Sequence, residues 1–210
     1  MKLETLHDCL RRLLPHVETA RIALTGGVAI GLHVDRLPDA PSRRLAAEDI
    51  DFVAEDVEVV RPTVAKDFLI SHFHVPQRGY PKFMIQIADP VTRLRVDFFP
   101  DSLGALERAP RMAVGSVQLC VVEVDDLLAH KLALLSKASA ATPIEEKHYA
   151  DAQRLGAIRG RAVAPVPRSR FAGTPFSRDL EDSCVLCQLS RSDMFPTASK
   201  RAIFDVLGYV

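Results

Sequence analysis

Apolar positions along the chain alternate between two rhythms. Leu3, Leu6, Leu10, Leu13 and Leu14 recur at helical spacing, with Glu4, Asp8, Arg11 and Arg12 on the other faces, which predicts an amphipathic helix ending near Pro15. A short apolar strand follows at 21–24, then the pair Gly26-Gly27 and an apolar helix over 28–34. Residues 35–46 carry Pro38 and Pro41 beside Arg36, Arg43 and Arg44, and read as a loop. A strand is expected at 49–53, and 57–60 reads as a short strand or a loop. Val64, Phe68 and Leu69 give 63–72 a helical period. Two β-like runs, 82–88 and 94–99, are joined by Asp89-Pro90-Val91-Thr92-Arg93, a length suited to a hairpin. Residues 112–124 read as further strand, with Gly115-Ser116 as a turn or bulge. Helices are predicted over 125–139 and 143–158, with Asp125 and Asp126 opening the first and Lys137 near its end, as the helix dipole favours. Pro143 suits the first turn of the second helix. Strands and helices thus interleave, and the expected fold class is α/β (α+β): a mixed sheet with packed helices, then a helical segment and an irregular tail.

The polar positions inside this pattern carry the chemistry. Asp49 and Asp51 lie two apart on a strand, so their carboxylates share one face while Ile50 and Phe52 take the other. Two carboxylates on one face attract a hard divalent cation, most simply Mg²⁺. A Gly pair at a helix start suits phosphate, because backbone N–H groups and the dipole favour anions and no Cβ blocks the approach. Each feature has a plainer reading: a tight turn for the Gly pair, a solvated sheet face for Asp-x-Asp. Together they suggest a site for a metal-bound nucleoside triphosphate. Asp97 supplies a third carboxylate, in the apolar run LRVDFF, where an unpaired charge is costly to bury. A metal would satisfy it; so would Arg95 or Arg93, or a surface position. Three carboxylates match the two-metal mechanism of phosphoryl transfer.

Composition narrows the picture. At 210 residues the chain fits one domain, or one with a small appendage. A net charge of +0 gives no global field for nucleic acid, so such contact would need a local patch. No apolar run approaches the roughly 20 residues of a membrane span. The charged N-terminus lacks a signal-peptide core, so Cys9, Cys120, Cys184 and Cys187 are expected to be reduced thiols in a cytoplasmic protein. Cys184-x-x-Cys187 has no nearby second pair of ligands, which argues against a structural zinc. His72 and His74, two apart, read better as polar residues at a segment end than as a metal pair. Beyond Arg159 three prolines and several arginines, 159–178, suggest a linker or a surface arm, and 197–210 could close the chain as a short helix.

Thr25-Gly26-Gly27-Val28-Ala29, then Glu48-Asp49-Ile50-Asp51-Phe52, then Val96-Asp97-Phe98 resembles the DNA polymerase β-type nucleotidyltransferase superfamily. Within it the sequence looks closest to the small bacterial, toxin-like (abortive-infection type) branch, with His33 in that branch's histidine position. Lys131 in LLAHKLALL, and Lys147 with Asp151 in KHYADAQRL, resemble its later elements. The likeness covers 22–155, with 35–46 as an apparent insertion. The resemblance implies transfer of a nucleoside monophosphate from a nucleoside triphosphate to an acceptor hydroxyl on tRNA, a protein or a small molecule. It implies two Mg²⁺ ions held by Asp49, Asp51 and Asp97, with Asp97 helping to deprotonate the acceptor. It implies Thr25, Gly26, Gly27, Lys131, Lys147 and Asp151 on the nucleotide, and a possible antitoxin partner. The corresponding division is a catalytic core over 1–124, a helical segment over 125–158 and an arm and tail over 159–210. The competing expectations are an inactive member of the fold that only binds, and a metal-dependent phosphohydrolase.

Overall fold

The computed structural model describes residues 3–35, 49–75, 82–137 and 146–163. Five strands form a mixed sheet in the order β1-β2-β5-β4-β3: β1 (Ile22–Thr25), β2 (Asp49–Ala54), β3 (Leu69–His74), β4 (Met84–Ala88) and β5 (Arg95–Pro100). Only β2 and β5 pair in parallel; the other neighbours are antiparallel. A separate hairpin, β6 (Arg111–Val114) and β7 (Val117–Cys120), turns at Gly115-Ser116. It joins the outer edge of β1 through a parallel bridge from Leu24 to Val121 and the bond from Val122 N to Leu24 O at 2.9 Å.

Helix α1 (Leu3–Leu13) buries Leu6, Cys9, Leu10 and Leu13, the stripe its spacing predicts. It is fixed at two points, His7 in its middle and Arg12 near its end. The ring of His7 stands against Gly115 of the β6–β7 turn, whose φ of +62° and lack of room both exclude a side chain. Arg12 reaches the fully buried Asp89 at 3.3 Å. Asp89 also accepts from Val91 N at 3.0 Å and Thr92 Oγ1 at 2.8 Å, and so closes the β4–β5 hairpin. Among these groups burial pushes the Cys9 thiol up to about 12, leaving it an unreactive packing group. Helix α2 (Gly26–Val34) packs on β1 and β2, and a one-turn α3 (Ala105–Arg108) follows β5. Helices α4 (Val124–Lys137) and α5 (Glu146–Ile158) pack on each other and on α2. No helix among the described residues is long and apolar enough to cross a membrane.

Two expectations change. Residues 63–72 are not a helix: a short 3-10 turn, Pro62–Lys66, ends there and β3 begins at Leu69. Ile70 and Phe73 gain burial and a ladder with β4, which outweighs a weak local helical period. Helix α2 begins at Gly26 itself, so the Gly pair forms its first turn instead of preceding it. Most of the expected loop at 35–46, residues 138–145 with the expected helix start at Pro143, and everything from 164, including Cys184 and Cys187, lie outside the described residues.

One face of the sheet is wholly apolar. Ile50, Phe52, Val96, Phe98, Ile85 and Ile87 are fully buried, and the Phe52 and Phe98 rings stack at 5.3 Å and 15°. Phe52 lies opposite Phe98 in the ladder, one residue along from Asp51 and Asp97. Phe98→Ala is therefore expected to cost about 3–5 kcal/mol, read as a lowered urea midpoint at unchanged slope. A loss below 1 kcal/mol would show that this stack does not hold β2 against β5.

Candidate functional site

The opposite face of the sheet carries a polar row. Ladder register sets Thr25 beside Asp51, Asp51 beside Asp97, Asp97 beside Gln86, and Gln86 beside His72. One residue from each strand thus lines up across the sheet, the outcome of period-two alternation on every strand. Asp49 lies on the same face one step along, opposite Arg95.

At the centre of the row Asp49, Asp51 and Asp97 each offer a carboxylate oxygen, all within 4.8 Å of one another. Arg95 lies across two of them, with Nη2 donating to Asp49 Oδ2 at 2.6 Å and Nε to Asp97 Oδ2 at 3.0 Å. Asp97 is 2% exposed, and its Oδ1 is buried with no hydrogen-bond partner among the described residues. Burial pushes the Asp97 carboxyl up to about 6, against the pull of Arg95 and a hydrogen bond from Gln86. Burial, then the charges of Asp49 and Asp97, push Asp51 up to about 7 although Lys131 and Arg95 draw it down. Three crowded carboxylates, one with an orphaned buried oxygen, form a donor set for a hard divalent cation: all oxygen, strongly anionic and short of positive charge. The residues present fit Mg²⁺.

Gly26 closes one side of this cluster. Its φ is +62°, and a Cβ placed on it would lie 1.9 Å from Asp51 Oδ2. Only glycine lets the start of α2 approach the carboxylate so closely. Thr25 stands at the N-cap position without making a side-chain capping bond. Beside them opens a cavity of about 360 Å³, lined by Thr25, Gly26 and Asp51 at one end and by Lys131, His130 and His148 on the helical side. Asp101 shapes its rim by accepting from the amides of Ala105 at 2.9 Å and Leu106 at 2.8 Å, which caps α3. Arg108 pins α4 there through Asp126 at 2.7 Å.

Lys131 is buried on α4, unlike most helix lysines. Its Nζ lies 3.0 Å from His148 Nδ1 and 3.4 Å from Asp151 Oδ2, both on α5. Asp151 is buried and also meets Arg154 at 3.3 Å, so it faces Lys131 and does not line the cavity. Lys147 is exposed at the start of α5 and stands outside the cavity lining. His33 points elsewhere, its Nε2 bonding Val122 O at 2.9 Å. The structure thus brings together Asp49, Asp51, Asp97, Thr25, Gly26 and Lys131; Gly27 follows in the first turn of α2, and Asp151 supports Lys131 from behind. Sequence reading passed over Gln86 and His148. Gln86 was detectable as the one polar residue in the run MIQIA, and His148 as the residue three before Asp151, on its helical face.

Asp51 and Asp97 have raised pKa values in the folded chain, so the fold holds their protons more tightly than the unfolded chain does. Their stabilising contribution is complete below about pH 4 and is lost as pH rises through about 6 and 7. Metal-free protein should therefore melt at lower temperature as pH climbs across that window. Asp51→Asn should flatten the slope and stabilise the metal-free chain by about 2 kcal/mol at pH 8; an unchanged slope would show that the cluster is not desolvated. Gly26→Ala should destabilise by about 1–2 kcal/mol from its backbone alone and displace the Asp51 carboxylate as well, checked by urea titration and by loss of divalent-cation binding.

No family model and no curated protein sequence matches the chain. Among solved structures, the Megavirus polyadenylate synthase superposes with a TM-score of 0.48 at 13% identity, over 93% of this chain and 37% of its own. JHP933 from Helicobacter pylori gives a TM-score of 0.39 at 13% identity, over 98% of this chain and 89% of its own. This chain spans little more than a third of the length of the Megavirus protein. Neither similarity is close enough to carry a property from one protein to the other.

Proposed function

We propose that this chain transfers a nucleoside monophosphate from a nucleoside triphosphate to an acceptor hydroxyl, with Mg²⁺ held by Asp49, Asp51 and Asp97. One observation supports this above the rest: three carboxylates from two strands meet against a helix start that only glycine can form, at the mouth of a cavity holding a buried lysine. When bound, Mg²⁺ supplies charge neutralisation for the triphosphate and for the reacting oxygens. The protein supplies position. Backbone amides at Thr25, Gly26 and Gly27 receive the β- and γ-phosphates at the start of α2. Lys131 offsets triphosphate charge from the helical side. Asp151 acts on the nucleotide through Lys131, which it holds in place across the α4–α5 contact. Lys147, exposed on α5, can meet only the outer part of a bound nucleotide or its acceptor.

Asp97, ligating an ion with one carboxylate oxygen, would help take the acceptor hydroxyl's proton with the other. The acceptor oxygen then bonds to the α-phosphorus, the bond from that phosphorus to the bridging oxygen breaks, and pyrophosphate leaves. This is positioning and electrostatics more than covalent chemistry, as phosphoryl transfer generally requires.

Each α-labelled triphosphate should be incubated with the full chain, Mg²⁺ and, in separate reactions, total tRNA, lysate protein and an aminoglycoside. Label is expected on one acceptor, lost roughly a thousand-fold in Asp51→Asn and abolished by a chelator. Lys131→Met should cost roughly 10–100-fold, mainly through KM for the triphosphate. Phosphate release with no labelled acceptor would replace this reading with hydrolysis, and triphosphate binding without turnover would replace it with a binding protein.

A further inference from the structure

The three carboxylates do not stand alone: a fourth charged group from the same strand face is bound into them. Arg95 lies two residues before Asp97 on β5 and opposite Asp49 in the parallel ladder, so its side chain rises from the sheet between the two acids. Its fork contacts one oxygen of each, at 2.6 Å to Asp49 and 3.0 Å to Asp97. These contacts leave Asp97 Oδ1 unpartnered and touch no oxygen of Asp51, the member of the cluster against Gly26. The cluster therefore has two unequal sides: an outer one, Asp49 Oδ2 and Asp97 Oδ2, filled by a guanidinium, and an inner one, Asp51 and Asp97 Oδ1, which that guanidinium leaves untouched.

We propose that Arg95 is a resident counter-cation that limits the nucleotide-free protein to one divalent ion on the inner oxygens, so that a second ion enters only when a triphosphate arrives and Arg95 lets go of Asp49 and Asp97. The inference rests on reading the carboxylates as a metal site. Charge favours it. With Lys131 matched by Asp151 at 3.4 Å, three ionised carboxylates beside one guanidinium carry two negative charges, which a single divalent cation neutralises. A second would leave the site positive until the anionic triphosphate is present, at separations where Coulomb energies reach several kcal/mol. Geometry favours it too. A guanidinium holds two carboxylates at once through planar, well-directed donors, and the lone pairs it uses and the charge it brings disfavour an ion on the outer oxygens. Its side chain is 47% exposed, so it has solvent to swing into when released. Released, it stands beside the cluster with its charge free for the triphosphate or for a phosphate of the acceptor.

The test is a titration of the nucleotide-free full chain with Mn²⁺, reading free ion by electron paramagnetic resonance. Wild type should take one Mn²⁺ per chain, and two when a non-hydrolysable triphosphate is added. Arg95→Gln should take two without nucleotide, with the first bound about ten-fold tighter than in wild type. Arg95→Lys keeps the charge but not the fork and should lie between; it also carries the comparison if the glutamine variant does not fold. A wild type that takes two ions without nucleotide, or an Arg95→Gln curve that overlays wild type, overturns the proposal while leaving the metal site standing. A wild type that binds no Mn²⁺, and matches Asp51→Asn, removes the metal site and the proposal together.

Discussion

The parallel pairing of β2 with β5 is the constraint on which the site depends. It sets Asp51 against Asp97 in register, an arrangement that like charges oppose. The same register sets Phe52 against Phe98 on the reverse face, where two fully buried rings stack at 5.3 Å. The two faces are inseparable, because a slip of one residue would bring the phenylalanines to the polar side and the aspartates into the core. Apolar packing on one face thus enforces electrostatic crowding on the other. Burial of the cluster first, and the neighbouring carboxylate charges second, push the carboxyls of Asp51 and Asp97 up.

What relieves the crowding comes from all round the site. Arg95 arrives along β5, Gln86 from the neighbouring strand, and Lys131 from a helix late in the chain. None of them fully neutralises the cluster, since Asp97 Oδ1 remains buried and unpartnered. Fold stability alone would favour an amide or an apolar residue at 97. A carboxylate there makes sense for a protein that meets a cation in use.

Much of this was legible from local pattern. Asp49 and Asp51 share a face by strand alternation alone, and LRVDFF gave both the strand and its acid. Gly26 could be singled out as a phosphate corner, but not as the residue whose missing Cβ admits Asp51, because that contact joins two strands and a helix. The parallel partnership of β2 and β5 was also hidden, since β3 and β4 lie between them in sequence and beyond them in the sheet. Residues 69–72 were misread as helix because LISHFH alternates poorly: Ile70 and Phe73 are both buried, with a register shift between Ile70 and His72. The resemblance set Lys131 on the nucleotide, but its burial was not legible, because the packing of α5 on α4 is what removes it from water.

That last contact reaches beyond the cavity wall. The ammonium that draws on Asp51 is itself held by Asp151 and His148, from a helix that begins at residue 146. The sheet carries its acids by residue 97, yet its nearest buried counter-charge is anchored some fifty positions later. A fragment severed between α4 and α5 would retain the three clustered acids and the five-stranded sheet and still present Lys131 without its anchor. The electrostatics of the cluster are thus shared between early and late parts of the chain, and a transplant of the sheet into another scaffold would inherit the acids without one of the groups that set their charge.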